Sequence, residues 1–422
     1  MSWCGARPTT TWWHAIPEPF KIGVLGRGTV GGAFAELLEQ RAGAIEAITG
    51  MRPQVVGVLS RSQGAFDEIL DASDLIVELM GGLDPARDYV LEAMRAGRHV
   101  VTANKQLLAH HGEELWATAR EHGVQLRFEG AVAGVVPVIR VIQESLAGSH
   151  VERIHGIVNG TTNYILSEMA GRGLSYEAAL ADAQRLGYAE ADPTDDVTGR
   201  DAAAKMAILA RLAFDTPVHI DQVRYEGIEH ITPADLAYAR DLGLGLKLIG
   251  TAERVNGGLS VRVHPAFLYG GHPLASVHGP YNAVTVESPA ITEITMSGPG
   301  AGGPQTATAV LGDVISAMIP PASTPETTHS LPIVEDVTSA FYIRMEVADR
   351  PGVLAQIAEV LGLQGASIKT LVQHGLGDDA RLAMTVHPIL ESRLFAALRL
   401  IGRLDFMRSE PRAIRVIEEE FV

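Results

Sequence analysis

From Lys21 onward, short apolar runs alternate with stretches in which apolar positions recur at helical spacing. KIGVL (21–25), QVVGVLS (54–60), LIVELM (75–80), HVVTAN (99–104) and VQLRFE (124–129) read as buried strands. Helices are predicted through Thr29–Gln40 and near Pro85–Gly97. Strands alternating with helices imply an α/β segment with a doubly wound parallel sheet, running to about residue 150.

The pattern then changes. Residues 151–319 open with IHGIV and the turn-like NGTTN, hold a long helix near Thr198–Leu212, and carry β-rich stretches at 259–267 and 281–288. That is α+β material suited to a substrate domain. A Pro/Ser/Thr-rich segment within 320–340 reads as a linker. Beyond it, FYIRMEVA, VLAQIAEVLGL, SIKTLVQH, ARLAMTVH, a helix through Leu390–Ile401 and a strand near Ala413–Glu418 give the order βαββαβ. This is the ferredoxin-like arrangement, over residues 341–422. Residues 1–20 read as an N-terminal extension, with no fused domain expected ahead of Lys21.

Composition narrows the function. Charged residues are 20% and hydrophobic residues 46%, an ordinary globular balance. Lys and Arg number 34 against 50 Asp and Glu, a net charge of −16. Sequence-independent nucleic-acid binding needs the opposite sign, and so does docking on anionic lipid. No apolar run is long enough to span a bilayer, and one cysteine, Cys4, cannot form an internal disulfide. A cytoplasmic protein without nucleic-acid or membrane partners is expected.

Gly26-Arg27-Gly28-Thr29-Val30-Gly31 lies between a strand and a helix. Glycines there allow a tight turn, and the helix N-terminus offers N–H groups to a pyrophosphate. The second strand ends in Ser60-Arg61 where an acid would mark an unphosphorylated ribose, which favours NADP over NAD. Lys105 follows a strand whose C-terminal end would open on the cofactor crevice.

The densest constellation runs from Gly187 to Lys205 and includes Glu190, Asp195, Asp196 and Asp201. Asp201 and Lys205, four apart, share a helix face that continues into Ile208 and Leu212. A charged pair in line with a buried stripe is costly unless paired or used. The alternative is a Thr198–Asp201 capping box and a surface salt bridge. Spacing alone leaves both open. Asn159–Asn163 reads as a turn and helix cap, and His155 as a structural histidine.

Together these blocks resemble homoserine dehydrogenase. GRGTVG, TANKQLLA, FEGAVAGVVPVI, GIVNGTTNYIL, GYAEADPTDDVTGRDAAAKMAIL and GPGAGGPQTATAVLGD occur in that family's order over about residues 21–319. VADRPGVL (347–354) and GASI (365–368) resemble the turns of an ACT regulatory domain. Arg27 and His155 depart from residues usual in the family, without removing a proposed catalytic group.

The resemblance implies a Rossmann-type cofactor domain, a substrate and dimerisation domain, and an ACT tail. It implies reversible oxidation of L-homoserine to L-aspartate 4-semialdehyde by hydride transfer to a nicotinamide, in threonine, methionine and isoleucine biosynthesis. Lys205 matches the proton donor and acceptor, Asp201 and Glu190 match homoserine-binding carboxylates, and Asp196 lies close by. Gly26, Gly28, Thr29, Val30, Gly31, Arg61, Lys105, Gly187 and Gly302 are the cofactor-contact candidates. Glu129 with the backbone of Val132, Gly134 and Val136 matches a monovalent-cation site, usually sodium. Threonine is the implied effector and a homodimer or homotetramer the implied assembly. Two other readings stay in view: another NADP-dependent dehydrogenase of amino-acid aldehydes or amines, and a non-catalytic amino-acid sensor.

Overall fold

A computed structural model describes residues 18–319, 331–374 and 380–417. The linker through residue 330, most of the N-terminal extension and the GLGDD turn at 375–379 lie outside the described residues.

The first domain alternates strand and helix: β1 (Phe20–Leu25), α1 (Thr29–Thr49), β2 (Pro53–Leu59), α2 (Phe66–Ala72), β3 (Leu75–Glu78), α3 (Ala86–Arg95), β4 (His99–Thr102), α4 (Lys105–Glu121) and β5 (Leu126–Arg127). All five strands pair in parallel, in the order β2-β1-β3-β4-β5. That order reverses between β1 and β3, so the turn after β1 opens on the switch point where such sheets bind ligands. Helix α1 runs past its expected end at Gln40. Ala42 and Ile45 keep its inner face buried, and Gly50 stops it in a left-handed conformation (φ 77°). The short helix α2 follows β2 and is held by buried Phe66, Ile69 and Leu70.

The middle segment contributes α5 (Val138–Arg140), β6 (Arg153–Ile157), α6 (Gly160–Arg172), α7 (Tyr176–Arg185), α8 (Thr194–Val197), α9 (Arg200–Phe214), β7 (Arg224–Tyr225), α10 (Pro233–Asp241), β8 (Leu244–Val255), β9 (Gly258–Tyr269), β10 (Tyr281–Ser288), β11 (Thr292–Pro299) and α11 (Gly303–Ala317). Helix α11 returns to the first domain. Its Ala307, Val310 and Val314 share a core with Ile22, Val24 and Phe34.

The tail folds as β12 (Thr338–Val347), α12 (Val353–Leu363), β13 (Ile368–His374), β14 (Ala380–Leu390), α13 (Glu391–Ile401) and β15 (Arg412–Ile417), the expected βαββαβ order. Its sheet does not stand apart. Strand β15 pairs in parallel with β9, giving one mixed sheet in the order β11-β10-β6-β8-β9-β15-β12-β14-β13, with β7 also on β9. The seam is sealed by the Phe267–Tyr342 edge contact (5.1 Å between centroids) and by Arg344, which donates to Thr232 Oγ1 (2.6 Å) and Asp235 Oδ1 (2.8 Å). Such an aromatic pair is worth about 0.5–1.5 kcal/mol beyond its buried area.

Candidate active site

At the turn after β1, steric accounting separates the three glycines. A Cβ at Gly26, which has φ 107°, would lie 2.6 Å from Leu79 O, and one at Gly31 would lie 2.1 Å from Gly26 O. Those two glycines let the turn close against the sheet. A Cβ at Gly28 would meet nothing within 4 Å. Gly28 faces open crevice, as it must if a pyrophosphate is to approach the first amides of α1 at Thr29 and Val30. The residues therefore fit a dinucleotide.

Two further predicted contacts converge here. Gly303, one residue beyond Gly302, packs so closely on Thr29 that a Cβ would lie 2.9 Å from Thr29 Cγ2, so the N-termini of α1 and α11 meet. Gly26 N donates to Leu59 O (2.9 Å), which places the end of β2, and the exposed Arg61 just beyond it, beside the glycine turn.

A charged cluster forms where the two domains touch. Lys105 begins α4, capped by Asn104, whose side chain accepts from Leu107 N. Asp201 and Lys205 lie on the first turns of α9. Asp201 Oδ1 pairs with Lys105 Nζ at 2.9 Å and Oδ2 with Lys205 Nζ at 2.7 Å. Lys205 Nζ also donates to Val158 O (2.7 Å). Asn159 Nδ2 donates to Asp196 Oδ1 (2.6 Å) and Asp201 Oδ2 (2.9 Å), while its Oδ1 accepts from Thr162 N and Oγ1 at 2.8 and 2.9 Å.

This geometry decides the question that spacing left open. Asp201 is only 4% exposed, so the pair is not a surface salt bridge. No capping box starts α9 either: Gly199, at φ 88°, is its N-cap, and the Thr198 hydroxyl donates back to Thr194 O. Burial alone would raise the Asp201 pKa, but the Lys205 and Lys105 ammonium groups override it and hold the carboxyl well below its usual range. Lys105 is in turn raised, first by Asp201. Asp196 moves the other way, raised by burial and then by the Asp201 charge.

Asp201, a predicted substrate carboxylate, accepts from two lysines and one amide and holds them in register. Asp196 is half-buried and Glu190 exposed. Glu190 follows Gly187 (φ 80°) on a loop tied to α6 by Thr161 Oγ1, which donates to Tyr188 O (2.6 Å).

Sequence reasoning missed the double bridge made by Asn159. Its partners lie 37 and 42 residues away, beyond any local spacing rule.

With the geometry in place, the chain can be set beside known proteins. The family model for homoserine dehydrogenase matches residues 137–315, that for its NAD-binding domain matches 26–129, and that for the ACT domain matches 341–406. The chain belongs to the homoserine dehydrogenase family. A homoserine dehydrogenase of Synechocystis is 39% identical, over 94% of this chain and 99% of its own. The solved structure of one from Thiobacillus denitrificans superposes with a TM-score of 0.91 at 37% identity, covering 95% of this chain and 98% of that one. A hyperthermophilic archaeal homoserine dehydrogenase in complex with NADPH gives a TM-score of 0.62 at 26% identity, over 71% of this chain and 97% of that one.

The residues of the expected cation site lie on the turn ahead of α5. Glu129 is buried, and its two carboxylate oxygens accept from Ile139 N (2.9 Å) and Arg140 N (2.8 Å), at the start of α5. Val136 O accepts from Val138 N (2.8 Å). Among the described residues no group of three or more His, Cys, Asp or Glu could hold a metal.

Proposed function

We propose that this homoserine dehydrogenase interconverts L-homoserine and L-aspartate 4-semialdehyde with NADP as its preferred nicotinamide, in the route to threonine, methionine and isoleucine. The observation that carries the reading is the convergence of Lys105, from the cofactor domain, and Lys205, from the substrate domain, on one buried carboxylate. The bound dinucleotide supplies hydride exchange at the substrate carbon. The chain's own residues supply the rest.

Alcohol oxidation releases a hydroxyl proton, and the reverse reaction returns it to an oxygen that is becoming negative. Lys205 is the group assigned to move that proton, held in orientation by Val158 O and Asp201. Lys105 stays charged beside it and stabilises the developing oxyanion. Glu190 and Asp201, with Asp196 close by, are the carboxylates assigned to receive the substrate ammonium and fix the reacting carbon.

The NADP preference rests on Arg61 beside the glycine turn. A sodium ion held by Glu129 with the main-chain oxygens of Val132, Gly134 and Val136 belongs to the same reading, and activity compared in sodium, potassium and cation-free buffer tests it. A homodimer or homotetramer and a cytoplasmic location complete the reading; the sheet ends in strands β11 and β13, which are the edges open to pairing. No helix among the described residues is long and apolar enough to cross a membrane.

The test is nicotinamide absorbance with homoserine and each dinucleotide in turn. Turnover with another amino-acid alcohol but not homoserine would favour a different dehydrogenase, and tight threonine binding without turnover would favour a sensor.

A further inference from the structure

Glu78 is a carboxylate that the reaction scheme does not use. It ends β3, is 0% exposed, and among the described residues pairs with no Lys or Arg. Dipoles hold it instead. Oε1 accepts from Met80 N (2.7 Å) and Gly81 N (3.2 Å), and Oε2 accepts from Thr102 Oγ1 (2.6 Å). Thr102 Oγ1 accepts in turn from Asn104 N (3.0 Å), and Asn104 Nδ2 donates to Gly82 O (2.7 Å). Every one of these contacts to Glu78 brings a hydrogen, which suits the ionised form. Burial pushes its pKa up, and the hydrogen bonds from Thr102, Met80 and Gly81 oppose that.

Its place in the sheet gives this charge a use. Glu78 pairs in register with Leu25, the residue before Gly26, and with Thr102, three residues before Lys105. A dinucleotide whose pyrophosphate rests on the glycine turn and whose reacting end reaches the lysine cluster must pass over the ends of β3 and β4. The loops it crosses, 80–82 and 102–104, are the two that Glu78 ties together.

We propose that Glu78 is a positioning residue and a fixed negative floor for the nicotinamide, one that favours the oxidised, cationic form of the cofactor over the reduced, neutral form. This rests on reading the crevice as the dinucleotide site. Only the oxidised ring carries a positive charge, so a buried anion close to it would act on one redox state and not the other. The shift in relative affinity follows Coulomb attraction in a partly buried site and should reach at least about threefold.

The experiment titrates the full-length protein with oxidised and reduced dinucleotide separately, by calorimetry or by quenching of protein fluorescence, without substrate. In Glu78→Gln, which keeps an acceptor for Met80 N and Gly81 N, the oxidised Kd should rise about threefold or more relative to the reduced Kd. Equal weakening of both would reduce Glu78 to a loop brace and overturn the charge assignment. Thr102→Val supplies an independent check should the first variant not fold. It leaves the carboxylate but removes a donor, so acidification should erase the oxidised preference at a higher pH than in the wild type. An unmoved pH dependence would also overturn the proposal. Failure of the wild type to bind either dinucleotide would instead refute the cofactor site itself.

Discussion

Lys105 Nζ stands 2.9 Å from Asp201 Oδ1, and this ion pair joins the cofactor domain to the substrate domain at the proposed reaction site. The Asp201 carboxylate also holds Lys205, so a single buried acid sets the distance between two cations contributed by different domains. Held together they form a donor pair beside the crevice, and the barrier to hydride exchange should depend on all three groups as a unit.

Removing the proton carrier is the first expectation. Lys205→Ala should lower kcat by roughly 10²–10⁴-fold, the usual contribution of a general acid or base, while dinucleotide affinity changes little. Lys105→Ala should lower kcat and also weaken the dinucleotide, because this lysine comes from the cofactor domain. Steady-state kinetics with separate binding titrations distinguish the two. Wild-type kcat in Lys205→Ala would remove it from the mechanism.

Asp201→Asn should cost stability in a defined pH window. The folded Asp201 pKa lies below its unfolded value of about 3.9, so its contribution is present above that pH and lost as pH falls. The folded Lys105 pKa lies above its unfolded value of about 10.4, so its contribution is present below that pH and lost as pH rises through the folded value. The Tm deficit of Asp201→Asn should therefore be widest between about pH 4 and pH 10 and close at more acid pH. A constant deficit down to pH 3 would mean that the charge is not what stabilises.

How far the chain reveals itself varies with the range of the interaction. The parallel sheet, the glycine turn and the βαββαβ tail were legible because each rests on local periodicity or a local turn. The joining of β15 to β9 was not, because edge pairing between strands far apart leaves no mark in either. The Asp201–Lys205 pair was visible as a helix face, but Lys105 and Asn159 meet it only through the tertiary fold. At Glu129 the local motif carried no sign of the cap, because the amides of Ile139 and Arg140 that its carboxylate accepts from lie ten and eleven residues on.

Cofactor choice is open to a single substitution. Arg61 lies just past β2, beside the turn that would hold the phosphates. Arg61→Asp removes a cation suited to a 2′-phosphate and adds an anion that repels it while accepting from ribose hydroxyls. The kcat/KM ratio for NADP over NAD should fall by about tenfold or more, given that hydrogen bonds to charged groups contribute about 1.5–3 kcal/mol. An unchanged ratio would locate recognition of the 2′-phosphate elsewhere.

Asp313 should destabilise the fold at neutral pH. It is 3% exposed and accepts from Glu129 N (2.6 Å), and burial pushes its pKa up to about 7 despite that bond. A raised acid pKa means that ionisation opposes folding. The penalty is absent below the unfolded value of about 3.9, grows as pH rises, and is complete above about 7. Asp313→Asn, which keeps an acceptor for Glu129 N, should raise Tm at pH 8 and have little effect near pH 4. A lower Tm at pH 8 would show that the Arg140 guanidinium, 3.6 Å away, outweighs burial.

The tail is where regulation should be sought. A cavity of about 430 Å³ is lined by Asp349, Arg350, Gly352, Val353, Gln373 and Leu382, among others, at the start of α12. Gly352, at φ 91°, is the N-cap of α12 and no side chain caps that end, which leaves a helix N-terminus in the cavity lining suited to the carboxylate of a free amino acid. Asp349 can receive its ammonium, and the small volume suits a short side chain such as that of threonine. Because β15 pairs with β9, and Arg415 reaches both Glu391 (2.7 Å) and Glu226 (3.2 Å), a shift in the tail would have a direct route to the substrate-domain sheet. The same continuity makes deletion of the tail a poor test, since it would uncover the β9 edge. Point substitution is cleaner. Threonine should inhibit the wild type, and Asp349→Ala should keep uninhibited turnover while raising the threonine needed for half-inhibition by about tenfold, from loss of one charge-assisted hydrogen bond. Undiminished inhibition in that variant would place the effector outside this cavity, and wild-type indifference to threonine would leave the tail as a structural extension of the sheet.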